Sequence, residues 1–166
     1  MLRHALASAF LLALPDPVLG QSSWDRYKPG TIAEIMGHER ASVLADFKAG
    51  SDSNFILSGA DFATLATVEY QDSVRPTPTA HLQYLAHWAK SFRLSFDARL
   101  VFAREVLVRE DTLLLWLPVQ DTVVQAMRQQ LHRGDRILLY VIYAGAQGGP
   151  GPDIDWMFMV NDFQTK

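Results

Sequence analysis

The chain has 166 residues, 49% of them hydrophobic and 20% charged, with a formal net charge of −3 and no cysteine. A surface of that sign repels a phosphate backbone unless its cations cluster, and the tightest grouping is only Arg128, His132, Arg133 and Arg136, so nucleic acid is not an expected partner. The lack of cysteine removes disulfides, thiolate nucleophiles and lipid attachment through a cysteine.

The first element is "MLRHALASAFLLALPDPVLGQSS". Arg3 and His4 precede an apolar stretch from Ala5 to Leu14, which Pro15 and Pro17 interrupt. Small or aliphatic Val18 and Gly20 stand before Gln21. This is the layout of a secretory signal peptide over residues 1–20. The stretch is too short to span a bilayer as a helix, which takes about 20 residues. A short N-terminal core helix is the simpler alternative, and the Pro-Asp-Pro run argues against it. Cleavage would leave 146 residues: a polar lead-in over 21–30, then a single domain over 31–166. A cysteine-free exported chain with no Asn-X-Ser/Thr acceptor suits a bacterial periplasm or bacterial secretion. No later segment is long and apolar enough to anchor the mature chain.

The domain opens on "TIAEIMGHERASVLADFKAG", read as a helix over 31–50. Thr31 and Glu34 stand at capping-box spacing. Ile32, Ile35, Met36, Val43, Leu44 and Phe47 share one face, and Gly50 stops the element. His38, Glu39 and Arg40 make a solvated face of it. "NFILSG" and "DFATLATVEYQ" read as two short strands forming a hairpin, with Phe62, Thr64, Ala66, Val68 and Tyr70 on one side of the second. "RPTPT" then punctuates the chain, and Pro78 favours a helix start for "TAHLQYLAHWAKS", 79–91.

From Phe92 the apolar residues alternate: Phe92, Leu94, Phe96, Ala98, Leu100 and Phe102. That period of two predicts a long strand, with a bend or bulge at Arg104-Glu105, resumed by Val106 and Val108. Glu110-Asp111 turns into "TLLLWLP", a strand apolar on both faces and expected to be covered on both. "TVVQAMRQQLHRG" is the best helix, capped by Asp121 and closed by Gly134. "RILLYVIYAG" and "WMFMVNDF" are two more strands joined by "GAQGGPGPDID".

The expected class is therefore α+β with three helices, built on an antiparallel sheet or a partly closed OB-like barrel. The barrel reading counts the bent strand from Phe92 twice. That gives five strands with a helix between the third and fourth.

Few residues suggest chemistry. The glycine-rich connector has no Lys, has prolines among its would-be donors and leads into a strand, which disfavours phosphate gripping. Asp153 and Asp155 are oxygen donors, but two carboxylates do not fill a Ca²⁺ shell; a solvated loop is the simpler reading. Tyr143 and Trp156 flank the connector, are the aromatics expected to be accessible, and join Asp153 and Asp155 as the ligand-binding candidates. The plainer reading of these rings is core filling. His81 and His87 lie on one helix about 120° apart and cannot chelate one ion from it alone. Glu105 is picked out by the expected bulge. Glu105, Glu110 and Asp97 are the acids available for a carboxylate pair. His81, His87 and Glu105 are thus the catalytic candidates, useful only if they converge with Asp155. No metal or cofactor is expected.

Three functions are consistent with these residues. The leading expectation is an exported, non-catalytic binding or adaptor module whose partner is a protein or an envelope component. A hydrolase using carboxylate- or His-assisted water is the second. The third is a subunit of a larger envelope assembly, pairing through an exposed strand edge.

Overall fold

A computed structural model describes residues 25–48, 55–59, 63–148 and 154–166. The signal-peptide reading at 1–20, Phe62 and Asp153 lie outside these residues. The described elements are β1 (Lys28–Pro29), α1 (Ile32–Lys48), β2 (Phe55–Leu57), β3 (Ala63–Pro76), α2 (Thr79–Ser91), α3 (Ala98–Val101), β4 (Arg104–Glu110), β5 (Leu113–Val119), α4 (Asp121–Gln130), β6 (Arg136–Gln147) and β7 (Asp155–Thr165). The class is α+β.

Five strands close into a mixed barrel in the order β3-β4-β5-β7-β6, with β6 pairing back onto β3. β5 and β7 run parallel and meet in one register pair, Val119 with Val160; the other barrel contacts are antiparallel. The helix α4 stands between the third and fourth barrel strands, an order compatible with an OB-like barrel. β1 and β2 are added at the sheet's edges, on β3 and β6.

The strand that bends is β3, not the segment from Phe92. Its first half, Ala63 to Glu69, pairs with β6, and its second half pairs with β4. Between them the register slips: Tyr70 opposes Val108, and Val74 opposes Val106, so β3 carries two extra residues. Asp72 takes a left-handed backbone there (φ 52°), a conformation that Asp tolerates better than most residues. The turn before β6 secures the bend, with Tyr70 N–H donating to Asp135 O and Gly134 N–H to Tyr70 O. One strand thereby borders two neighbours and closes the barrel.

The alternation from Phe92 to Phe102 does not make a strand. Arg93 is left-handed (φ 55°), and Asp97 caps the short helix α3 by accepting from Arg99 N–H at 2.9 Å. Leu94, Phe96, Ala98 and Phe102 still reach an apolar cluster, while Phe92 and Leu100 are exposed. Period-two spacing was satisfied by packing rather than by strand pairing. The two N-terminal strands also do not form a hairpin: β2 pairs with β6.

Two apolar cores result. Inside the barrel, alternate residues of all five strands meet: Val68 and Tyr70, Val106 and Val108, Leu117, Leu139 and Val141, Phe158 and Val160. The helix α4 adds Val123, Val124 and Met127. Outside it, α2 lays Tyr84, Leu85, Trp88 and Ala89 on Ile142, Ala144, Met157 and Met159. β6 and β7 are therefore buried on both faces, as near-continuous apolar strands require. β5 departs from that expectation: Leu114, on its outer face, is exposed.

Two polar details fix helices against the barrel. The capping box of α1 forms, with Thr31 N–H on Glu34 Oε2 and Glu34 N–H on Thr31 Oγ1, both at 3.0 Å. The next two N–H groups, Ile32 and Ala33, donate to the Glu110 carboxylate at 2.9 and 2.8 Å. A buried carboxylate thus sits at the positive end of the helix. At the other edge, the Tyr84 O–H lies 2.6 Å from Ile56 O and 2.8 Å from Ala144 O, tying α2 to β2 and β6. Gly145 is needed there: its φ is +128°, and a Cβ would meet Ile56 O at 2.0 Å.

Candidate functional site

The outer barrel face beneath the start of α2 gathers most of the chain's polar interest. Glu105 points outward from β4 yet is fully buried. Its Oε2 accepts from Arg75 Nε at 2.7 Å, and its Oε1 lies 2.5 Å from His81 Nδ1. His81 Nε2 contacts Asp155 Oδ2 at 2.9 Å, and the same oxygen accepts from Gln147 Nε2 at 2.8 Å. The Arg75 guanidinium lies over the Trp116 ring, 4.3 Å from its centre. Each barrel strand supplies one member: Arg75 from β3, Glu105 from β4, Trp116 from β5, Gln147 from β6 and Asp155 from β7. The helix α2 supplies His81.

Chain geometry explains the convergence. Arg75 and Glu105 are direct cross-strand partners, as are Gln147 and Asp155. His81 lies in the first turn of α2 and bridges the two pairs. β5 and β7 meet in one register pair, Val119 with Val160, where Gln120 N–H donates to Val160 O at 3.3 Å.

The electrostatics follow from this arrangement. Burial alone would lower the His81 pKa. Hydrogen bonds to Asp155 and Glu105, and their negative charges, outweigh burial and raise it to about 9. His81 is therefore an imidazolium at neutral pH, donating from both ring nitrogens. Burial would raise the Asp155 carboxyl, but bonds from His81 and Gln147 hold it below the ordinary carboxylate range.

His81, Glu105 and Asp155 thus come together. His87 does not: it stacks on Phe55, 5.9 Å between ring centres, on another face of α2. The other two acids of the expected set have different partners, since Glu110 caps α1 and Asp97 caps α3. Tyr143 is buried in the barrel core against Phe158 and Trp156, contrary to its expected accessibility, and burial raises its phenol pKa. Trp156 is half-buried and packs on two apolar clusters. Arg75 and Gln147 were missed by sequence reasoning. The available signal was weak: an Arg ending a strand before Pro-Thr-Pro, and a Gln before the glycine-rich connector.

The second feature is an open cleft of about 590 Å³ at one end of the barrel. Its walls are Asp72 in the β3 bulge, Val74, Arg75 and Pro76 beyond it, Ala103 and Arg104 at the entry to β4, and Arg128 on α4. Arg104 Nε lies 3.3 Å from Asp121 Oδ1. Arg128 is exposed and enters no ion pair among the described residues. Among the described residues no group of three or more His, Asp and Glu side chains is placed to hold a metal ion. No helix among them is long and apolar enough to cross a membrane. Neither a protein-family model, nor a curated protein, nor a solved structure matches this chain.

Proposed function

We propose that the chain is an exported, non-catalytic binding or adaptor module, with the arginine-lined cleft as its ligand-contact region. One observation carries this reading. The best catalytic candidate, His81, has both ring nitrogens committed to carboxylates. A general base needs a free lone pair within reach of the proton it takes. An imidazolium held between Glu105 and Asp155 has none, so the cluster acts as a brace. The cleft is open, lies within the size range of small-molecule sites and presents guanidinium groups. Export rests on the signal-peptide layout of residues 1–20, which also supports an envelope or secreted partner.

The hydrolase reading keeps one supporting observation, the meeting of His81, Glu105 and Asp155. Both readings are tested together. The chain is expressed with its N-terminus intact, the exported product is weighed by mass spectrometry, and the product is assayed against ester, amide, glycoside and phosphate substrates. The expected results are cleavage near Gln21, no turnover, and reproducible retention of an envelope component. Turnover that His81→Gln reduces a thousandfold would establish the enzyme instead.

A further inference from the structure

We propose that the cleft between the β3 bulge, the start of β4 and α4 binds a small organic anion through a carboxylate or phosphate group. The inference deepens the binding-module reading and rests on it.

Three observations carry it. First, Arg75 is already fixed in place. Its Nε and one Nη donate to buried Glu105, and its plane rests on Trp116. Glu105 is itself held by His81. A guanidinium oriented in this way loses little freedom on meeting a ligand. Second, Arg128 comes to the cleft from α4 with no acidic partner among the described residues, and Arg104 makes only one long contact. Guanidinium forks match the planar oxygen pairs of carboxylates and phosphates. Third, the walls between the arginines are Val74, Pro76 and Ala103, apolar surface suited to an organic body rather than a bare ion. The bulge between Tyr70 and Val74 places Asp72 at the cleft, and bulges are over-represented beside such sites. A net charge of −3 argues against a long polyanion and leaves a compact ligand.

Asp72 is the only acid among the lining residues and opposes an anion. This gives a test with opposite signs. Purified protein is titrated by calorimetry with inorganic phosphate and, separately, with citrate, at low salt. Arg128→Ala should weaken binding about tenfold, the value of one charge-assisted contact. Arg128→Lys should recover part of it. Asp72→Asn should tighten binding about threefold, because it removes a like charge while Asn still tolerates the left-handed backbone. Arg109→Ala removes a guanidinium that pairs with Glu69 away from the cleft and should change nothing. Stronger binding of phosphate assigns a phosphate-bearing ligand, and stronger binding of citrate a polycarboxylate. No heat from either anion at millimolar concentration, or equal binding by Arg128→Ala and the parent, overturns the proposal. If an envelope component is retained equally by Arg128→Ala, the binding-module reading survives and this inference does not.

Discussion

The polar brace and the cleft share Arg75 but use charge in opposite ways. In the brace, Glu105 and Asp155 are neutralised by His81 and Arg75, and Glu105 is shielded from water. In the cleft, Arg104 meets only Asp121, at 3.3 Å, and Arg128 stands at the surface with no acidic partner among the described residues. Buried charges must be paired or they become too costly to keep. Exposed ones need no partner and remain available to a ligand. Saturation marks structure, and open donor capacity marks a place where binding is affordable. Arg75 belongs to both, since it lines the cleft while Glu105 and Trp116 hold its guanidinium.

The sharpest way to break this comparison is to remove Glu105. Glu105→Ala removes the buried partner of His81 and of half-exposed Arg75 and should cost about 3 kcal/mol in urea unfolding, the lower end for a broken buried pair. Glu105→Gln, which keeps some hydrogen bonds, should cost less. An unchanged unfolding midpoint would show that the brace holds nothing together.

Titration gives the next effect. The folded-state pKa of His81 is raised to about 9 from an ordinary 6.5. Its contribution is therefore complete below about pH 6.5 and is lost as pH rises through 9. The shift corresponds to at most about 3 kcal/mol. The Asp155 shift is downward, so its contribution is present above the ordinary carboxylate pKa and disappears as pH falls through the folded value. Urea midpoints measured from pH 3 to 10 should form a plateau bounded by these two groups. In His81→Gln the alkaline fall should vanish; its persistence would assign the fall to another group.

Glu110 offers a smaller comparison. It is buried like Glu105 but is satisfied by the N–H groups of Ile32 and Ala33 rather than by cations. Glu110→Ala should cost about 1–2 kcal/mol, the range of a lost helix cap. A loss as large as that of Glu105→Ala would mean that pairing with cations is not what distinguishes the brace.

The smallest stability effect belongs to the cleft. Arg128→Ala should shift stability by no more than about 0.5 kcal/mol while weakening anion binding as described above. A larger destabilisation would make Arg128 a structural residue and erase the distinction between the two regions.

Local chemistry is legible in the chain before folding. The span of α2 from Thr79 to Ser91 follows from Pro78 and the apolar spacing, and the capping box of α1 follows from Thr31 and Glu34. The two-faced burial of β6 and β7 can be read from their continuous apolar runs. These features depend on neighbours within a few residues, where backbone sterics and side-chain period act directly. The same reasoning failed between Phe92 and Phe102, where alternation was satisfied by a capped turn and a short helix packing on the second core. It also misplaced Tyr143, because an aromatic beside a flexible-looking connector carries no local mark of whether its strand faces inward.

The sequence by itself determined the three helices α1, α2 and α4 but not α3, most of the strands, the turn at Glu110-Asp111 and an acidic, cysteine-free composition. Only the tertiary structure decided that β3 bends to close the barrel, that Arg75, His81, Glu105 and Asp155 meet, that His87 is excluded, and that Arg128 faces a cleft. The physical reason is range. Helical and strand periods are fixed by covalent geometry over a few residues, whereas the brace joins positions up to 80 residues apart through strand register, which one slipped residue would undo.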